Sequence, residues 1–222
     1  MTFNSTVTLV DSMGSDHSVV DAARVSFSKE ASAYTSEQNQ KLISFLAREG
    51  HWSPFAHTSL SFRIEAPIFV ARQLGKHQVG LSWNEVSRRY VTIQPKAWSP
   101  KFLRKVAANV KQGSSDEAVD NERSIVDFNY AIGVALRTYE SLLRDGVCPE
   151  QARAVLPQGM FTEWMWTGSL YAFHRVYTQR SSPHAQRETK EVVKHIGQAC
   201  AIYFPHSWLA LTTQGEVCSP AN

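Results

Sequence analysis

Apolar and polar positions along the chain change period repeatedly, and each change predicts an element. Thr6 to Asp11 (TVTLVD) is short, β-branched and alternating, which predicts a strand. Ser18 to Phe27 reads as a short helix. A better one begins at Ser36, with Glu37 in its first turn and Leu42, Ile43, Phe45 and Leu46 on one side, and stops at Gly50. Thr58 to Ile64 (TSLSFRI) alternates again and predicts a second strand. Pro67 sits where a helix can begin, because the N–H it lacks is not needed in a first turn. Glu122 to Asp145 is a long helix with Ile125, Phe128, Ile132, Leu136, Tyr139 and Leu142 at three-to-four spacing, stopped by Gly146. Pro149 opens a short helix that carries Arg153. Met160 to Thr167 reads as a strand. Ser169 to Gln179, His184 to Phe204 and Pro205 to Thr212 read as helices. Val91 to Pro100 and Gln112 to Asn121 have the tone of surface loops. Helices outnumber strands and no regular βαβ alternation appears. The expected fold is therefore α+β, a mixed or antiparallel sheet flanked by helices in one domain over residues 1–222.

The stretch Ala66 to Tyr90 stands apart. It starts apolar with Ile68, Phe69, Ala71 and Leu74, and then delivers Lys76, His77, Gln78, Ser82, Asn84, Glu85, Ser87, Arg88, Arg89 and Tyr90, with Gly75 and Gly80 among them. So dense a polar cluster behind an apolar helix favours a site for a polar ligand over a solvated turn.

Bulk properties narrow the classes. The chain has 222 residues, 43% hydrophobic and 19% charged, ample for a packed core and unlike a disordered chain. A net charge of +3 suits an anionic small molecule and a nucleic acid equally. Cys148, Cys200 and Cys218 form no CxxC pair and are odd in number, against a disulfide framework or a thiolate zinc site. The N-terminus has no secretory pattern and no run is long and apolar enough for a membrane span, so a reducing cytoplasm is the expected compartment.

Familiar catalytic signatures are missing. No GxGxxG follows a strand, and neither GxxxxGK[ST] nor GxSxG occurs. His51 and His57 flank a proline in HWSPFAH, but their spacing matches no common zinc signature. A turn feeding a strand and a ligand contact both remain open there. Arg72, Arg88, Arg89, Arg153, Arg175 and Arg180 lie near polar-to-apolar transitions, where a planar guanidinium suits phosphate. Glu85 either holds a ribose hydroxyl or pairs with Arg89.

HQVGLSWNEVSRRY resembles the signature of the flavin-dependent thymidylate synthases, RHRxxSxNExSxRY. Ser82, Asn84, Glu85, Ser87, Arg89 and Tyr90 match its second half. The first half departs: Lys76, His77 and Gln78 stand for Arg-His-Arg, with one extra residue before Ser82. HWSPFAH, APIFVARQ, ARAVLP from Ala152, Trp166-Thr167 and QRSSPHAQ from Gln179 are also similar to family blocks, in the family's order. The resemblance runs from about His51 to Phe204 and omits Val91 to Asn121.

The resemblance implies reductive methylation of dUMP to dTMP. Methylenetetrahydrofolate would be the carbon donor, FAD reduced by NADPH the hydride source, and no enzyme nucleophile would be needed. It implies a homotetramer with active sites between subunits, and neither a nucleic-acid nor a membrane partner. Residue by residue, dUMP would be held by Gln73, Lys76, Glu85, Ser87, the Arg88 backbone, Arg89, Arg153 and Arg180. Arg180 would be the catalytic residue, stabilising charge on the uracil. FAD would be held by Ser53, Lys76, His77, Gln78, Val79, Glu85, Ser169 and Arg175, with His51 on the folate or nicotinamide side and no metal. Lys76 keeps charge but loses the guanidinium fork, and Gln78 loses charge. Ser169, Tyr171 and Arg175 stand where the family more often has Asn, Arg and Asn, which makes the FAD contacts the ones most altered. A family member impaired by these changes and a nucleic-acid-binding module are the alternatives.

Overall fold

The computed structural model describes residues 4–108 and 113–213. Cys218 lies outside them. Four strands form one sheet: β1 (Thr6–Met13), β2 (Ser59–Pro67), β6 (Phe161–Gly168) and β3 (Leu81–Glu85), in the spatial order β1-β2-β6-β3. Every pairing is antiparallel. The register explains why β2 and β6 form its centre. Phe62 lies opposite Trp166 and Ile64 opposite Trp164, and all four are buried. On the other face Ser61 and Thr167 share a hydrogen bond of 2.8 Å, and Arg63 pairs with Glu163 at 2.6 Å. One face is thus apolar and one polar, the period-2 consequence of alternating side chains.

Helices cover the apolar face. α1 (Asp16–Arg24) and α2 (Ser36–Arg48) pack near one end, with α8 (Pro205–Thr213) against α2. α3 (Ile68–Leu74), α6 (Leu170–Arg180) and α7 (Arg187–Tyr203) pack on the sheet and on one another. Val70, Leu74, Phe173, Val176, Val192, Val193 and Ile196 join the sheet's Leu60, Phe62, Ile64, Trp164 and Trp166 in one core. α2 starts with a capping box, Thr35 accepting from Gln38 N–H and Gln38 reaching back to Thr35 N–H. It ends before Gly50, whose φ of +71° favours glycine. α4 (Glu122–Arg144) is capped by Asn121, and only Tyr139 of its residues is buried. Val126 and Tyr130 on it are exposed. α5 (Pro149–Ala152) is one turn, continued by a 3-10 turn over Arg153–Val155.

Four elements differ from expectation. Pro67 does not open the helix. It ends β2 opposite Phe161 with ψ of 148°, and the helix begins at Ile68. The polar cluster holds an unforeseen strand, β3, because only Leu81 and Trp83 in it face inward and so short an edge strand gives little periodicity. Part of the expected surface loop before Asn121 is β5 (Ser114–Ala118), paired with β4 (Arg104–Val106) as a separate two-stranded ribbon. Its sequence, SSDEA, is polar up to Ala118 and has no β-branched or aromatic residue, so the fold and not propensity makes it a strand. Gln112 lies outside the described residues. The helix expected from His184 begins instead at Arg187.

Candidate functional site

The centre of the site lies where α3 ends, α6 ends and α7 begins. Arg180 is the last residue of α6. Its Nε–H donates to His77 Nε2 at 2.9 Å, and its Nη2 lies 3.5 Å from the Gln73 carbonyl. An accepting Nε2 requires a neutral His77 with its proton on Nδ1. The surroundings favour that state: burial, then the charges of Arg180 and Arg175, hold His77 below the ordinary imidazole range. Gln73, from the last turn of α3, donates its amide N–H to Gln186 and accepts from Thr189 Oγ1 at 3.0 Å.

Gln73 and Arg180 line a cavity of about 990 Å³. Arg104, Arg187 and Lys190 line it as well. Arg104 is taken up by Glu188 in a two-pronged ion pair, 2.7 and 3.1 Å, and Arg187 lies 3.6 Å from Asp116. Among the described residues, Arg180 and Lys190 have no carboxylate partner in an ion pair, which leaves net positive charge at the wall of the cavity. Burial raises the Glu188 carboxyl, but the Arg104 hydrogen bond and charge outweigh this and hold it below the ordinary range.

His77 joins this cavity to a neighbour of about 370 Å³, lined by Lys76, His77, Gln78, Trp83 and Glu85. Glu85 is oriented by Thr162 Oγ1 at 2.6 Å and Trp83 Nε1 at 3.3 Å. Trp83 stacks on Trp164 with centroids 4.4 Å apart. Gly80 has φ of +75°, and a methyl group on it would meet the Ala172 side chain at 3.2 Å and Ser169 Oγ at 3.9 Å. This close approach sets the Lys76–Gly80 loop against the start of α6, where Ser169 caps the helix by accepting from Ala172 N–H at 3.2 Å. Val79 on the loop is exposed. Gly168 permits the approach, since a methyl group there would lie 2.6 Å from the Gly80 carbonyl. A third hollow, about 180 Å³, holds His51, Trp52, Tyr171 and His174. Ser53, beside it in sequence, starts a 3-10 turn and is exposed.

The expected substrate set divides within one chain. Gln73, Lys76 and Arg180 come together around His77 of the expected FAD set, with Glu85 across the same cavity as Lys76, but Ser87, Arg88, Arg89 and Arg153 lie beyond the other end of β3. Arg88 donates to the Ile93 carbonyl, and Ser87 Oγ accepts from Arg89 N–H at 3.3 Å. Arg89 pairs with Glu150 of α5 at 3.2 Å, which sets it beside the turn carrying exposed Arg153. The alternative pairing of Arg89 with Glu85 does not form. Cys200 is fully buried and burial pushes its thiol up, so it is no nucleophile. Cys148 is exposed. Among the described residues no group of histidines, cysteines and carboxylates is placed to hold a metal.

Sequence reasoning missed Arg104, Glu188 and Lys190. The QRSSPHAQ block pointed to the α6–α7 connection, but nothing marked Arg104, which reaches the site only through the β4–β5 ribbon.

A model of the thymidylate synthase complementing protein family matches residues 8–206. The chain belongs to that family. The flavin-dependent thymidylate synthase of Thermus thermophilus is 35% identical over 204 residues, covering 92% of this chain and 74% of the relative. That of Kosmotoga olearia is 38% identical over 187 residues, covering 83% and 80%. The UMP/dUMP methylase PolB of Streptomyces cacaoi, solved with 5-Br dUMP, superposes with a TM-score of 0.87 at 33% identity, over 98% of this chain and 99% of that one. PolB has also been solved with 5-Br UMP. No helix among the described residues is long and apolar enough to cross a membrane.

Proposed function

We propose that the chain is a flavin-dependent thymidylate synthase, a methyltransferase that converts dUMP to dTMP with methylenetetrahydrofolate as carbon donor. The observation that carries this reading is the meeting of Gln73 and Arg180 at the wall of one cationic cavity, with Arg180 held by His77 of the neighbouring cavity, in a chain matched to the family over almost its whole length. A nucleotide phosphate suits a wall with uncompensated positive charge. Arg180 is the catalytic residue: neutral His77 occupies its Nε–H, which fixes the guanidinium and leaves N–H groups for charge developing on an ionised uracil. Gln73 holds the pyrimidine nucleotide with Lys76 and Glu85. Ser87, the Arg88 backbone, Arg89 and Arg153 complete a nucleotide site in another copy of the chain, which is why they stand apart within one copy. The exposed Val126 and Tyr130 of α4 support the homotetramer this requires.

The residues present fit FAD. Lys76 and Arg175 have no carboxylate in an ion pair among the described residues, and Gly80 gives a close backbone approach beside Ser169. Ser53, Lys76, His77, Gln78, Val79, Glu85, Ser169 and Arg175 would hold it, with His51 toward the folate or nicotinamide. When bound and reduced by NADPH, FAD supplies the hydride that completes the methyl group. Burial removes the Cys200 thiol as a candidate nucleophile.

The test is the visible spectrum of protein incubated with FAD and desalted, with and without dUMP, together with its sedimentation mass. The expected result is a retained flavin band that shifts when dUMP is added, at a mass of four chains. Loss of all flavin even with dUMP present would overturn the reading in favour of an impaired member or a nucleic-acid-binding module. UMP belongs in the same titration, because PolB, which is so similar in fold, is a UMP/dUMP methylase.

A further inference from the structure

We infer that Thr189 is a positioning residue that holds the amide of Gln73 ready for the pyrimidine nucleotide. The inference rests on the reading of Gln73 as a substrate contact. Gln73 is a flexible side chain at a helix end, and immobilising such a chain costs conformational entropy. The fold removes that freedom beforehand. Gln186, at the cap position of α7, accepts from the amide Nε2, and Thr189, one turn into α7, donates to Oε1 at 3.0 Å.

Thr189 is fully buried, so its hydroxyl has no water to satisfy it and is committed to the amide. Gln73 is only partly buried and borders the cavity. A primary amide has two N–H groups and two lone pairs. One of each is used inward, so one of each is left to face a ligand. Preorganisation of this kind raises affinity by lowering the ordering cost of binding. The hydroxyl is not needed for helix α7, whose first turn any helix former could fill. Its placement is explained by Gln73.

The test is dUMP binding, by isothermal titration, to the flavin-loaded protein. Thr189→Val keeps the shape of the side chain and removes the donor. It is expected to weaken dUMP binding about 3- to 10-fold, the worth of one hydrogen bond. Flavin retention should not change, and Thr189→Ser should restore the affinity. In a Gln73→Ala background Thr189→Val should have no further effect, since the group it positions is gone. Thr189→Ala serves as a second hydroxyl-free variant should the valine variant fail to fold. Unchanged dUMP affinity in the hydroxyl-free variant, or an equal loss with and without Gln73, overturns the inference and leaves the hydroxyl with a purely structural role. A wild-type protein that binds flavin but no dUMP overturns the substrate reading beneath it instead, and the inference with it.

Discussion

Arg180→Ala is expected to lower turnover about 10²- to 10³-fold, the usual consequence of removing one fixed group that stabilises developing charge. Flavin should stay bound, because Arg180 reaches the Lys76–Gly80 loop only through His77. The guanidinium is fixed from two sides, by His77 Nε2 and more weakly by the Gln73 carbonyl, and faces the cavity without a carboxylate to neutralise it. Its effect is thus reserved for the ligand. Arg180→Lys retains charge but has neither the planar fork nor the Nε–H, so an intermediate rate is expected. Steady-state kinetics with saturating dUMP makes the distinction. A full rate in the alanine variant would mean that Arg180 does not stabilise the reacting pyrimidine.

Arg104→Ala is expected to destabilise the fold by about 3 kcal/mol, the range for breaking one side of a buried ion pair. Arg104 and Glu188 side chains are 19% and 9% exposed and meet at 2.7 Å. The truncation strands a carboxylate among buried neighbours at the start of α7 and releases the β4–β5 ribbon from the cavity wall. The pH dependence follows from the direction of the Glu188 shift. Its carboxyl is held below the ordinary 4.5 in the native state. The stability this gives is present above that pH and is lost as pH falls through the lower native value. Without Arg104, burial dominates and the carboxyl takes up its proton at higher pH, which relieves the penalty. Urea unfolding of both proteins should therefore show the largest gap near neutral pH, narrowing on acidification. A gap that is constant with pH would show that packing of the Arg104 stem, not the ion pair, holds the ribbon.

The elements with strong periodicity were legible in the sequence. β2 and β6 alternate because one face of the sheet is buried and the other is wet. α2, α4 and α7 show their apolar sides at helical spacing, and Gly50 and Gly146 mark stops that need positive φ. β3 and β5 were not legible. An edge strand with two inward residues and a polar ribbon have no period long enough to read, and both are strands only because a partner strand satisfies their backbone groups.

The chemistry divides in the same way. Residue types and their order can be read from the chain alone: SxNExSxRY, the blocks around it, and Arg180 at the end of its helix. Local signals of this kind survive in sequence because each is carried by a few adjacent side chains. Which of them meet is settled by how the helices pack. The fold brought Gln73, His77 and Arg180 together, placed Ser87 to Arg89 and Arg153 elsewhere, and introduced Arg104, Glu188 and Thr189. Those contacts join residues about a hundred positions apart in sequence. They exist because α3, α6 and α7 bury their apolar faces on one sheet, and that packing leaves their polar ends at a common corner.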